Sequence, residues 1–130
     1  MTMPERAKIQ QIPLKVYRAM DRLTVAAPMA GIEPDDILVE VTDDGRLLID
    51  GKVRAVLKDV KELLLDEWSS GAYYRDYPLP EAVDGSQAIA TYGNGVLVVT
   101  FPVSATTVPA RLTLSSTGLA HGMSDNVTYH

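Results

Sequence analysis

Few residues in this 130-residue chain could carry catalytic chemistry. The two histidines, His121 and His130, both fall in the C-terminal tail. There is no cysteine, which removes thiolate nucleophiles, thiolate metal ligands and disulfides together. Neither a G-x-S-x-G elbow nor a phosphate-binding loop occurs. Asp35-Asp36 is a carboxylate pair, but it sits in a stretch punctuated by Pro28, Gly31 and Pro34 and reads as a turn cap. Gly93-Asn94-Gly95 looks like a glycine-rich cradle. It precedes a strand, however, whereas a phosphate cradle needs a helix N-terminus. Nothing in the spacing of the other carboxylates suggests a hydrolytic pair. No catalytic, cofactor-binding or metal site is therefore expected, and the chain is expected not to be an enzyme.

Bulk properties narrow the class further. The net charge of −5 argues against a nucleic-acid binder working through a basic footprint. No apolar run approaches the roughly 18 residues of a membrane span, and Met1–Gln10 has no signal-peptide pattern. A soluble cytoplasmic protein with no membrane partner is the expectation, and Asn126-Val127-Thr128 then fits a glycosylation sequon by chance. A chain of this length makes one domain and buries about two-thirds of its unfolded surface without staples.

The elements that would carry any site are short strands. Asn94-Gly95 supplies the positive φ angles of a two-residue hairpin turn. Beyond it Leu97, Val99 and Phe101 share one face and Val96, Val98 and Thr100 the other. This strand is expected in mid-sheet and covered on both faces, with Pro102 ending it. Alternation also marks Leu14–Met20, then Leu23, Val25 and Ala27 after a turn at Asp21-Arg22. Ile37, Val39 and Val41 lead to a turn at Asp43-Asp44-Gly45 and on to Leu47 and Ile49. Tyr73, Arg75 and Tyr77 share a face, as do Ala88, Ala90 and Tyr92. About eight such segments at short spacing predict an all-β, immunoglobulin-like antiparallel β-sandwich. Residues 53–68 are ambiguous: Val56, Val60, Leu63, Leu64 and Trp68 form a helical stripe.

The order of several motifs resembles the alpha-crystallin domain of small heat-shock proteins. Ala90, three residues, then Asn94-Gly95-Val96-Leu97, a strand and Pro102 match that family's hairpin signature. Ala30-Gly31-Ile32-Glu33-Pro34-Asp35-Asp36-Ile37 is similar to its connection before a strand, with Ala30 where Pro is usual. Val39 through Lys52, Glu67-Trp68 with Gly71, Tyr73 and Arg75, and Leu79-Pro80-Glu81-Ala82-Val83-Asp84 follow in register. The resemblance implies a flexible arm over 1–13, an alpha-crystallin domain over 14–102, and a C-terminal extension over 103–130.

It also implies a function: an ATP-independent holdase that binds partly unfolded proteins and prevents their aggregation under heat or other stress. Its partners would be itself, as a dimer or higher oligomer, unfolding clients, and ATP-driven refolding chaperones. Glu62, Leu63, Leu64, Leu65, Asp66 and Glu67 would form a strand exchanged with a neighbouring subunit, although the helical reading stays open for part of it. Trp68 and Arg75 would join this dimer interface; otherwise Trp68 is a packing anchor and Arg75 a surface ion pair. Leu112 and Leu114 match the C-terminal anchor motif as L-x-L; the other reading is a last strand packed on its own core. Their groove would be lined by Ile37, Val39 and Val41 on one side and Ala88, Ala90 and Tyr92 on the other. The tail from Ser115 is polar and expected to be disordered. Only about a dozen polar residues precede the first strand, which argues against a large assembly and strong client binding. A monomeric adaptor of the CS-domain type, built on the same sandwich, is the alternative.

Overall fold

The computed structural model describes residues 10–53, 64–65 and 72–123. Among the described residues, ten strands pack as two five-stranded sheets. In chain order they are β1 (Gln10–Gln11), β2 (Lys15–Ala19), β3 (Arg22–Pro28), β4 (Ile37–Val41), β5 (Arg46–Gly51), β6 (Tyr73–Pro78), β7 (Ile89–Gly93), β8 (Val96–Pro102), β9 (Ala110–Thr113) and β10 (Leu119–His121). The first sheet runs β1-β6-β5-β4-β9 and the second β10-β7-β8-β3-β2. All pairings are antiparallel except the short one between β1 and β6. This is the β-sandwich that the alternating pattern predicts.

The core follows from that alternation. Leu23, Val25 and Ala27 of β3, and Leu97, Val99 and Phe101 of β8, meet Val39, Val41, Leu47 and Ile49 of the facing sheet, all essentially without exposed surface. Val83 is also fully buried, and next to it Asp84 caps a turn of 3-10 helix over Gly85–Gln87. Its carboxylate accepts from the Ser86 N–H at 3.0 Å and from Gln87 Nε2 at 2.9 Å. The Leu79–Asp84 loop is thus one plug and one cap.

The β7–β8 hairpin turns at Asn94 (φ 53°) and Gly95 (φ 77°), the paired positive angles the sequence predicts. β8 lies at the centre of its sheet, but none of the described residues fully covers its second face. Val96 is exposed, and Val98 and Thr100 are half-buried, with the Thr100 and Thr24 hydroxyls 3.2 Å apart. Only the sandwich interior buries a face here, so an apolar outer face does not require a covering layer.

Four further expectations are revised. The β2–β3 turn falls at Met20 (φ 58°) and Asp21, one residue earlier than expected. Asp35-Asp36, expected only as a turn cap, forms part of a 3-10 turn over Pro34–Asp36. The arm expected over 1–13 is part of the fold from Gln10, because Gln10–Gln11 pairs with β6 and Ile12 is completely buried. The tail is also structured beyond Ser115, since β10 pairs with β7. The choice between helix and exchanged strand over 53–68 lies outside the described residues, apart from Val53, Leu64 and Leu65.

Candidate functional site

Two regions of the sandwich gather the residues singled out in the sequence. The first is one flank, where β9 follows β4 at the end of one sheet and β10 follows β7 at the end of the other. Ile37, Val39 and Val41 of β4 are buried, and so are Ala90 of β7 and Ala88, just before that strand. Tyr92 is half-buried beside them. Leu112 and Leu114 belong to the same buried cluster. β9 lies antiparallel to β4, with Leu112 opposite Val39 and Thr113 opposite Leu38. Within this one chain, the L-x-L segment therefore fills the gap between β4 and β7.

Tyr92 closes the upper end of that gap. Its hydroxyl donates to the Met29 carbonyl at 2.6 Å, and its own amide donates to the Gly118 carbonyl at 2.7 Å. Burial pushes the phenol above its ordinary pKa, opposed by hydrogen bonding from the Ile32 backbone. From the facing sheet, the Tyr73 hydroxyl donates to the Ala30 carbonyl at 2.8 Å. The two tyrosines hold the loop after β3 from both sheets, an arrangement that no motif spacing announced.

The second region is the opposite flank. β2 ends the second sheet, and among the described residues its outer edge pairs with no strand. It is largely exposed and carries Lys15 and Arg18, the latter 2.8 Å from Glu81. Charges of this kind guard an open edge. Leu64 and Leu65 are exposed, at 84% and 72% of their surface. Glu62, Leu63, Asp66, Glu67 and Trp68 lie outside the described residues. Among the described residues Arg75 makes no ion pair: its Nη1 donates to the Ile12 carbonyl at 2.9 Å, and its guanidinium lies 5.8 Å from the centre of the Tyr77 ring. Its buried Nε has no hydrogen-bond partner among the described residues.

Among the described residues, no group of three or more His, Asp or Glu side chains could hold a metal ion. His121 is exposed on β10. No helix among them is long and apolar enough to cross a membrane. The first region offers a buried apolar cluster and the second a strand edge that is unpaired among the described residues, both features that suit association.

Known proteins share this arrangement. The sequence model of the Hsp20/alpha crystallin family matches residues 15–112. The chain is 33% identical over 102 residues to the probable 15 kDa heat shock protein of Leptospira interrogans, covering 78% of this chain and 76% of that one. It is 37% identical over 94 residues to the 19.0 kDa class II heat shock protein of Oryza sativa, with 67% of this chain and 53% of that one covered. Among solved structures, a Del-C4 mutant of hsp14.1 from Sulfolobus solfatataricus P2 superposes with a TM-score of 0.62 at 27% identity, over 74% of this chain and 78% of the other. A small heat-shock protein from Xylella fastidiosa, described as having a distinct high order structure, gives 0.61 at 26%, over 80% and 95%. With the match running from the start of β2 to the L-x-L leucine at 112, the chain belongs to the Hsp20/alpha crystallin family, the small heat-shock proteins, whose role is that of chaperones.

Proposed function

We propose that this protein is an ATP-independent holdase, which binds partly unfolded proteins in the cytoplasm and keeps them from aggregating. The observation that carries this is the apolar gap between β4 and β7, filled by a short strand with two buried leucines. Any extended segment with apolar residues at alternate positions presents the same chemistry to that gap: main-chain hydrogen bonds to β4 and side chains to the core. Burying two Leu contributes on the order of 3–6 kcal/mol. Ordering the four residues of β9 costs about 1–2 kcal/mol each. The entropic cost offsets much of that gain and the β4–β9 ladder supplies the margin, so the segment stays docked at ordinary temperature, releases on warming, and the vacated gap then accepts client segments or Leu112 and Leu114 of another subunit.

Dimer formation is assigned to the other flank. The open edge of β2 carries Lys15 and Arg18, and Glu62–Glu67 is acidic at both ends. A partner's Glu62–Glu67 segment added to β2 would satisfy the unpaired backbone groups and complement their charge. Trp68 would pack beside it, and the unpartnered Nε of Arg75 would serve the same contact. Clients released in a refoldable state would pass to ATP-driven chaperones. The monomeric adaptor reading is disfavoured, because such a module lacks the L-x-L strand. The test is light scattering of a heat-aggregating client, without nucleotide, in the presence and absence of the protein.

A further inference from the structure

The family match ends at Leu112, yet the chain goes on folding. After β9 a turn forms in which the Gly118 amide donates to the Ser115 carbonyl at 2.8 Å, while the Ser115 and Thr117 hydroxyls lie 2.6 Å apart. β10 then runs back along the second sheet, with Leu119 opposite Thr91, Ala120 opposite Ala90 and His121 opposite Ile89. It also runs antiparallel to β9: the Ser115 amide donates to the Leu119 carbonyl at 3.2 Å, and the Arg111 amide to the Met123 carbonyl at 3.0 Å. One ribbon thus covers the edge of β4 with its first strand and the edge of β7 with its second, and it joins the two sheets.

Two glycines let the second strand sit this close. A Cβ on Gly118 would lie 2.3 Å from the Tyr92 carbonyl oxygen, and one on Gly122 1.9 Å from that of Gly85. Both obstacles are backbone, so neither position takes a side chain without displacing the ribbon. Ala120, between them, is buried.

We propose that Ala110–Met123 is an intramolecular clasp, in which β10 locks the L-x-L strand into the chain's own groove and so gates the site. This rests on the reading of that groove as the assembly and client site. Because β10 holds both β9 and β7, β9 does not leave alone: the two edges close together and open together. Closure within one chain needs no second molecule, so it is independent of concentration. Opening frees two unpaired edges at once, which fit the same ribbon from a second copy of this chain, or a client strand.

The experiment is hydrogen–deuterium exchange of the β9 amides in the full-length protein, read across about a hundred-fold range of dilution, with Gly118→Val and Gly122→Val alongside. The clasp predicts protection in the native protein that does not change with dilution, and exchange about tenfold faster or more in either variant. Protection that falls on dilution in the native protein overturns it, because the strand would then be held by another subunit. Unchanged exchange in both variants also overturns it. The dilution series does not depend on the variants folding. Client light scattering on the same samples separates the two readings. A dilution-independent clasp with no suppression by any variant supports the clasp and overturns only the chaperone reading.

Discussion

Leu112 stands directly opposite Val39 in the β4–β9 ladder, and neither side chain exposes any surface. Truncation there leaves a cavity in the core rather than a trimmed tail. Leu112→Ala is expected to lower stability by about 2–4 kcal/mol in denaturant titrations followed by circular dichroism. A tail that packs on nothing would cost close to zero.

On the proposed reading the same leucines set assembly. On warming, the native protein is expected to gain mass beyond the dimer as β9 is released and finds other subunits. The Leu112→Ser/Leu114→Ser protein is expected to stay at the smaller size. Multi-angle light scattering over a temperature ramp reads this directly, and identical masses for the two proteins would refute the anchor role.

The Tyr92 phenol holds the loop after β3, and burial raises its pKa. Below the ordinary tyrosine range, near about 10, the phenol is protonated in both folded and unfolded chains and adds no pH dependence. Above it the unfolded chain releases this proton while the folded one keeps it, so stability falls as pH rises. Tyr92→Phe is expected to flatten that alkaline loss and to cost about 1 kcal/mol at neutral pH. Thermal melts from neutral to alkaline pH check both.

Gly95 sits at φ 77°, and a Cβ there would come no closer than 3.5 Å to Ala30. There is room for the added methyl group, so the cost is conformational. Gly95→Ala is expected to lose about 1–2 kcal/mol without changing the fold, measured as a shift in the denaturant midpoint at constant slope.

Arg75 reaches from β6 to the Ile12 carbonyl and pins the segment after β1. Arg75→Met keeps the stem and removes the donor. Amide exchange at Ile12, whose N–H donates to the Tyr74 carbonyl at 3.2 Å, is expected to rise several-fold. If Arg75 also serves the dimer contact, the same variant shifts the mass toward monomer on dilution.

Much of the fold was legible because strand alternation and turn chemistry are local. Asn94-Gly95 named its hairpin outright, and Val39, Leu47, Ile49, Leu97 and Phe101 announced their inward face by spacing alone. What local pattern does not encode is partner choice. Ile12 stands between Gln11 and Pro13, outside any clear alternating run, and its burial depends on β6, over sixty residues away. β10 is only Leu-Ala-His, too short to show a period, and it forms because Gly118 and Gly122 let it approach a distant backbone. The hydrogen bonds of Tyr73 and Tyr92 to one loop also needed both sheets in place. The L-x-L segment had two readings in sequence, a last core strand or an anchor, and its chemistry suits either.

The most direct test of the central claim is the aggregation of a heat-labile client at equimolar protein, without ATP, followed by light scattering. The account predicts that scattering is suppressed, and suppressed further in Gly122→Val, where the groove is released. No suppression by the native protein or by the variant, together with a monomeric mass in solution, would contradict it.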